Sequence, residues 1–109
     1  MADYIQDEAG FKTVTLTRSY EAFGKTFSTV RLREPTYKEI FMEGLGRPQE
    51  WQRTEGGGMV LVTYPPVVAS YIERVAVEPG IEALTQLGAV DSMRLERAIT
   101  DFFRDMTRS

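Results

Sequence analysis

The sequence predicts an α+β fold, and three observations carry that prediction. Two runs in the first third of the chain alternate apolar and polar residues with the two-residue period of strands. The second half places its apolar residues at helical spacing instead. The order, strands first and helices afterwards, is that of a small sheet covered by a helical layer. At 109 residues the chain is sized for one core. Residues 11–109 read as a single domain, and residues 1–10 as a loosely held, flexible polar leader ending at Gly10.

The first strands are the clearest elements. Val14 and Leu16 alternate with Thr13, Thr15 and Thr17, and a second run from Thr26 to Arg33 sets Val30 and Leu32 against Thr29, Arg31 and Arg33. This predicts a β-hairpin with Gly24 in or beside its turn. Pro35 ends it, having no N–H for a ladder and pushing Glu34 toward an extended conformation. Thr36 followed by Glu39 then reads as a capping box, each side chain able to satisfy a backbone N–H of the other. The helix it opens carries Tyr37, Ile40, Phe41 and Leu45 on one stripe and stops at Gly44 and Gly46.

A second, inserted hairpin is predicted between Arg47 and Tyr64, with strands Glu50 to Thr54 and Met59 to Tyr64 joined by Glu55-Gly56-Gly57-Gly58. Pro65 and Pro66 suit a helix start, and Val68, Tyr71, Ile72 and Val75 form its apolar stripe. Glu78-Pro79-Gly80 breaks it. A short helix with Ile81, Leu84 and Leu87 ends at Gly88, and Asp91 reads as the N-cap of a last helix to about Met106. Leu95, Ala98, Ile99, Phe102, Phe103 and Met106 are its apolar face, while Arg97 with Asp101 and Asp105 with Arg108 are ion pairs on the polar one. The C-terminal layer therefore holds about three helices. No internal repeat is present.

Composition excludes much chemistry. With no His and no Cys, the chain lacks a proton shuttle near neutral pH, a thiolate nucleophile and the two commonest zinc ligands. Thirteen basic against sixteen acidic side chains give no basic footprint for nucleic acid. The longest apolar run, Met59 to Val62, is strand-sized and far short of a bilayer. The acidic N-terminus lacks the pattern of a signal peptide, which predicts a cytoplasmic protein.

The remaining motifs have plainer explanations than catalysis. Gly24-Lys25-Thr26 lacks the glycine five positions earlier that a phosphate-binding loop needs, Ser19 standing there. Gly56-Gly57-Gly58 reads as a hairpin tip. Glu39 and Glu43 share a face at metal-ligand spacing, but with Lys38 adjacent and no His the reading is a solvated face. No Lys follows a Ser at Ser-x-x-Lys spacing. The sequence thus predicts a non-enzymatic protein with no cofactor and no metal, acting on another protein. Among its one Trp, five Tyr and six Phe, Trp51 beside Arg53, with Tyr64, are candidate contacts, since interface anchors are enriched in Trp, Tyr and Arg. The plainer reading is that Trp51 packs its hairpin on the helices.

The order of segments also resembles a known family. The threonine-rich hairpin with Gly24, then Leu32-Arg33-Glu34-Pro35-Thr36 opening a helix, is similar to the start of the Mu-like phage tail assembly chaperones. Tyr71-Ile72-Glu73-Arg74-Val75, Pro79 to Leu87, and Asp91-Ser92-Met93-Arg94-Leu95 running into Thr100-Asp101-Phe102-Phe103 resemble that family's closing helices. The stretch from Arg47 to Tyr64 departs from it, standing where the family usually has a shorter loop. The resemblance implies a helper made in the host cytoplasm and absent from the mature virion. It would bind the tape measure protein, and with it the tail tube protein, and keep the tape measure soluble during tail assembly. Phe102, Phe103 and Met106 would then be contacts, against the alternative that they are core. A structural tail adaptor or completion protein and a regulator of a host enzyme are the rival readings. Monomer and homo-oligomer both remain open.

Overall fold

Alternation along the two long strands builds the centre of the fold. The computed structural model describes residues 3–104, and in it β2 (Phe11–Ala22) and β3 (Lys25–Arg33) form the expected antiparallel hairpin. Val14, Leu16, Val30 and Leu32 are buried on one face. The turn between Ala22 and Lys25 has positive φ at both central residues, 55° at Phe23 and 78° at Gly24, the signature of a two-residue type I′ connection.

Two further strands complete the sheet in the order β1-β2-β3-β6. β1 (Ile5–Glu8) pairs antiparallel with β2, Ile5 opposite Val14 and Glu8 opposite Phe11. The segment read as a flexible leader is thus an edge strand in the part described, and Tyr4 and Ile5 pack on the core. β6 (Ala76–Glu78) pairs with β3 through Arg31–Glu78 and Leu32–Ala76. Neither β1 nor β6 shows the apolar alternation that marks β2 and β3.

The helical layer is α1 (Pro65–Val75), the single turn α2 (Ile81–Leu84) and α3 (Ala89–Phe102). From α1, Val68, Tyr71 and Val75 enter the core, and from α3, Leu95, Ala98 and Ile99. The predicted stripes therefore face the sheet, and the α+β class holds. No described helix is long and apolar enough to cross a membrane. Arg97 pairs with Asp101 at 3.2 Å as expected, and Arg104 joins it at 2.9 Å. The expected Asp105–Arg108 pair lies outside the described residues.

Asp91 departs from its predicted role. Gly88 is the N-cap of α3, and Asp91 lies in the first turn, 1% exposed. An irregularity in β2 between Thr15 and Tyr20 turns Thr17 toward it. Its carboxylate accepts from the Thr17 N–H (2.8 Å), the Thr17 hydroxyl (2.9 Å) and the Tyr20 hydroxyl (2.6 Å). Burial opposes its charge, but these hydrogen bonds outweigh burial and hold the carboxyl below its usual range. The bridge ties the sheet to the start of α3.

The segment after Pro35 also differs. The capping box forms: the Thr36 N–H donates to Glu39 and the Glu39 N–H to the Thr36 hydroxyl. What it opens, however, is a single π-helical turn, Lys38–Met42, in which the Glu43 N–H reaches back to the Lys38 carbonyl. Glu39 is not on a solvated face. It is buried and holds Arg33 with two contacts of 3.0 and 2.7 Å. With Glu39 turned inward, Tyr37 and Phe41 of the predicted stripe turn to solvent and pack on each other at 5.1 Å, while Ile40 and Leu45 rest against the core. Glu43 instead pairs with Arg74 at 3.0 Å.

Candidate partner-binding site

The inserted hairpin forms, as β4 (Gln49–Arg53) and β5 (Met59–Thr63), a separate two-stranded sheet with Trp51 opposite Leu61 and Arg53 opposite Met59. A two-residue period puts Gln49, Trp51, Arg53, Met59, Leu61 and Thr63 on one face, and Glu50, Gln52, Val60 and Val62 on the other. The tip is closed by Thr54, whose N–H donates to the Gly58 carbonyl at 2.8 Å and whose hydroxyl accepts from the Gly58 N–H at 3.1 Å. Gly57 supplies the one positive φ there, 90°.

The Trp51 face is apolar and open. Trp51 is 63% exposed, Met59 55% and Leu61 39%. Trp51 therefore does not pack its hairpin on the helices, and the plainer reading fails. Below this face runs a groove of about 710 Å³ lined by Gln49, Glu50, Trp51 and Leu61 from the hairpin, Arg47 and Pro48 from its base, and Thr100, Phe103 and Arg104 from α3 and the residues just after it. Phe103 is fixed by its packing on Tyr71, ring centres 5.2 Å apart. The Tyr71 hydroxyl donates to the Gly46 carbonyl at 2.5 Å, and burial with the nearby Glu39 charge raises its pKa. The base of the groove is thus anchored in the core.

The other predicted contacts are divided by the structure. Arg53 lies on the same face as Trp51, toward the tip, and is exposed. Tyr64 sits on the opposite side: its hydroxyl donates to Glu50 and accepts from the Gln52 amide, and the Glu50 carboxylate keeps that hydroxyl protonated above its usual range. Phe102 is half-buried against the core, with the Lys12 ammonium 5.0 Å from its ring centre, so it belongs with the core and not with the groove. Met106 lies outside the described residues. Trp51 and Phe103 are therefore the predicted residues that line one groove. Met59, Leu61, Arg47 and Arg104 were not singled out from the sequence, and only the Met59–Val62 run gave a local sign of the first two.

Chemically the groove offers apolar area from Trp51, Leu61, Pro48 and Phe103, with Arg47, Glu50 and Arg104 at its margin. Among the described residues no cluster of three or more acidic side chains is placed to hold a metal ion. No protein-family model, no curated protein and no solved structure matches the chain.

Proposed function

We propose that this chain is a tail assembly chaperone: a binding protein that holds the tape measure protein soluble, with the groove between the β4–β5 hairpin and the end of α3 as its contact surface. The observation that carries this reading is the joint exposure of Trp51, Met59 and Leu61 on one face across from Phe103. An apolar helical stripe, which an unassembled tape measure protein exposes, fits such a groove at i, i+3, i+4 spacing. Of the charged groups on the margin, Arg104 is paired with Asp101, while Arg47 and Glu50 are of opposite sign and suit a stripe flanked by residues of both charges. Covering the stripe lowers the concentration of the aggregating species by mass action.

Co-expression with the tape measure protein of the same genome tests this. The tape measure chain is expected to become soluble and co-elute with the wild-type protein. A tape measure chain that stays insoluble beside well-folded wild-type protein overturns the reading.

A further inference from the structure

Strand edges expose unpaired backbone groups, and folded proteins protect them with charges, prolines or shortness. In this molecule β1 carries Asp7 and Glu8, β6 is three residues long and is followed by Pro79, and β4 carries Glu50 and Arg53. Within its five residues the outer edge of β5 has neither charge nor proline, Pro65 and Pro66 following only after Tyr64. Its residues Met59-Val60-Leu61-Val62-Thr63 are uncharged, and no other described strand than β4 is hydrogen-bonded to it. A two-stranded ribbon is marginal by itself in water, and further strands or a packed face are what stabilise one.

The hairpin's own ladder says which groups point outward. The Tyr64 N–H donates to the Pro48 carbonyl at 2.9 Å, and the Thr54 N–H to the Gly58 carbonyl at 2.8 Å. Hydrogen-bonded pairs alternate in an antiparallel ladder, so Glu50–Val62 and Gln52–Val60 are the bonded pairs between β4 and β5. Met59, Leu61 and Thr63 consequently direct their N–H and C=O groups to the free edge.

We propose that two copies of this chain join by antiparallel pairing of their β5 edges about a two-fold axis at Leu61, forming one four-stranded sheet in the order β4-β5-β5-β4. A second copy fits because the edge is self-complementary. Rotation about Leu61 sets Leu61 against Leu61 and Met59 against Thr63, every outward donor meets an acceptor, and no charged side chain within β5 faces another. The same pairing at β4 would set Trp51 against Trp51 and Gln49 against Arg53, with bulk and charge at the join. The β5 junction uses the edge and leaves the Trp51 face free, so the dimer carries two grooves on one sheet. This inference is independent of what occupies the groove.

The absence of native cysteine makes the register directly testable. In a bonded antiparallel pair opposite Cα atoms lie about 5.5 Å apart, within the span of a disulfide. A residue two positions from the axis is separated from its own copy by about 14 Å. Under mild oxidation Leu61→Cys is expected to cross-link to itself. Met59→Cys and Thr63→Cys are expected to cross-link when mixed and not when alone. Sedimentation of the unmodified chain is expected to show a concentration-dependent monomer–dimer equilibrium. A monomer at all concentrations in sedimentation, or cross-linking of the three variants without regard to register, overturns the proposal.

Discussion

Glu39 and Asp91 are buried carboxylates, 6% and 1% exposed, and hydrogen-bond donors keep each of them charged. The Arg33 guanidinium is the main cause at Glu39, helped against burial by Thr36, and holds its pKa at about 2 against an ordinary 4.5. At Asp91 the Tyr20 and Thr17 donors overcome the cost of burial in the same direction. Both folded-state values are lowered, so the stability these groups contribute is complete above the unfolded-state pKa and is lost as pH falls through the folded-state value. For Glu39 that window runs from about pH 4.5 down to about pH 2. Urea unfolding from pH 7 to pH 2.5 is expected to show constant stability above about pH 5 and a steady decline below it. Glu39→Gln is expected to lose about 2 kcal/mol at pH 7, having weakened a buried charge-assisted pair, and to flatten the acid limb. An acid limb of unchanged steepness in that variant would assign the titration to other groups.

At the scale of elements, legibility followed the source of each element's stability. β2, β3, α1 and α3 bury their own apolar stripes, Val14 with Leu16 and Tyr71 with Val75 among them, and a stripe is a local property of sequence. β1 and β6 are defined by what they pair with: Gln6-Asp7-Glu8 is polar throughout, and Ala76-Val77-Glu78 is too short to show a period. The Asp91 bridge joins residues more than seventy positions apart, so nothing beside Asp91 distinguishes it from an N-cap. The candidate site divides the same way. Trp51 was visible as a residue type on a peripheral hairpin, whereas its place in one groove with Phe103 depends on how the chain returns. The exposure of Trp51 gives the hairpin prediction its sign. Trp51→Ala removes a side chain that is 63% exposed, so its effect on thermal unfolding is expected to stay within about 0.5 kcal/mol. Loss of a central interface aromatic costs about 2 kcal/mol or more of binding, so under the proposed function affinity for the tape measure protein should fall by about thirtyfold or more. A variant that unfolds early, or that retains its partner fully, would remove Trp51 from the contact surface.

Across the whole molecule, the hairpin and the body are separable in the terms that decide stability. The buried core is made by the four-stranded sheet with α1, α2 and α3, and none of its members, nor of the apolar residues packed against it, lies between Gln49 and Thr63. The two ends of the hairpin meet where the Tyr64 N–H donates to the Pro48 carbonyl, a bonded pair whose Cα atoms are about 5.5 Å apart. A short Gly/Ser turn can span that gap, while Pro48, fully buried, stays in place. Replacing residues 49–63 by such a turn is therefore expected to leave a folded protein whose melting temperature moves by no more than about 5 °C, the shift that about 1 kcal/mol produces in a domain of this size. If the proposed dimer and the proposed function hold, the same variant is expected to sediment as a monomer and not to bind the tape measure protein, because the free β5 edge and the Trp51 face go together with the deleted segment. If the excised chain fails to fold, the hairpin belongs to the core and its exposed face has a structural purpose. If it folds and still solubilises the tape measure protein, the contact surface lies elsewhere on the body, and the exposed Tyr37, with Phe41 and Met42 of the π turn that follows it, become the next surface to alter.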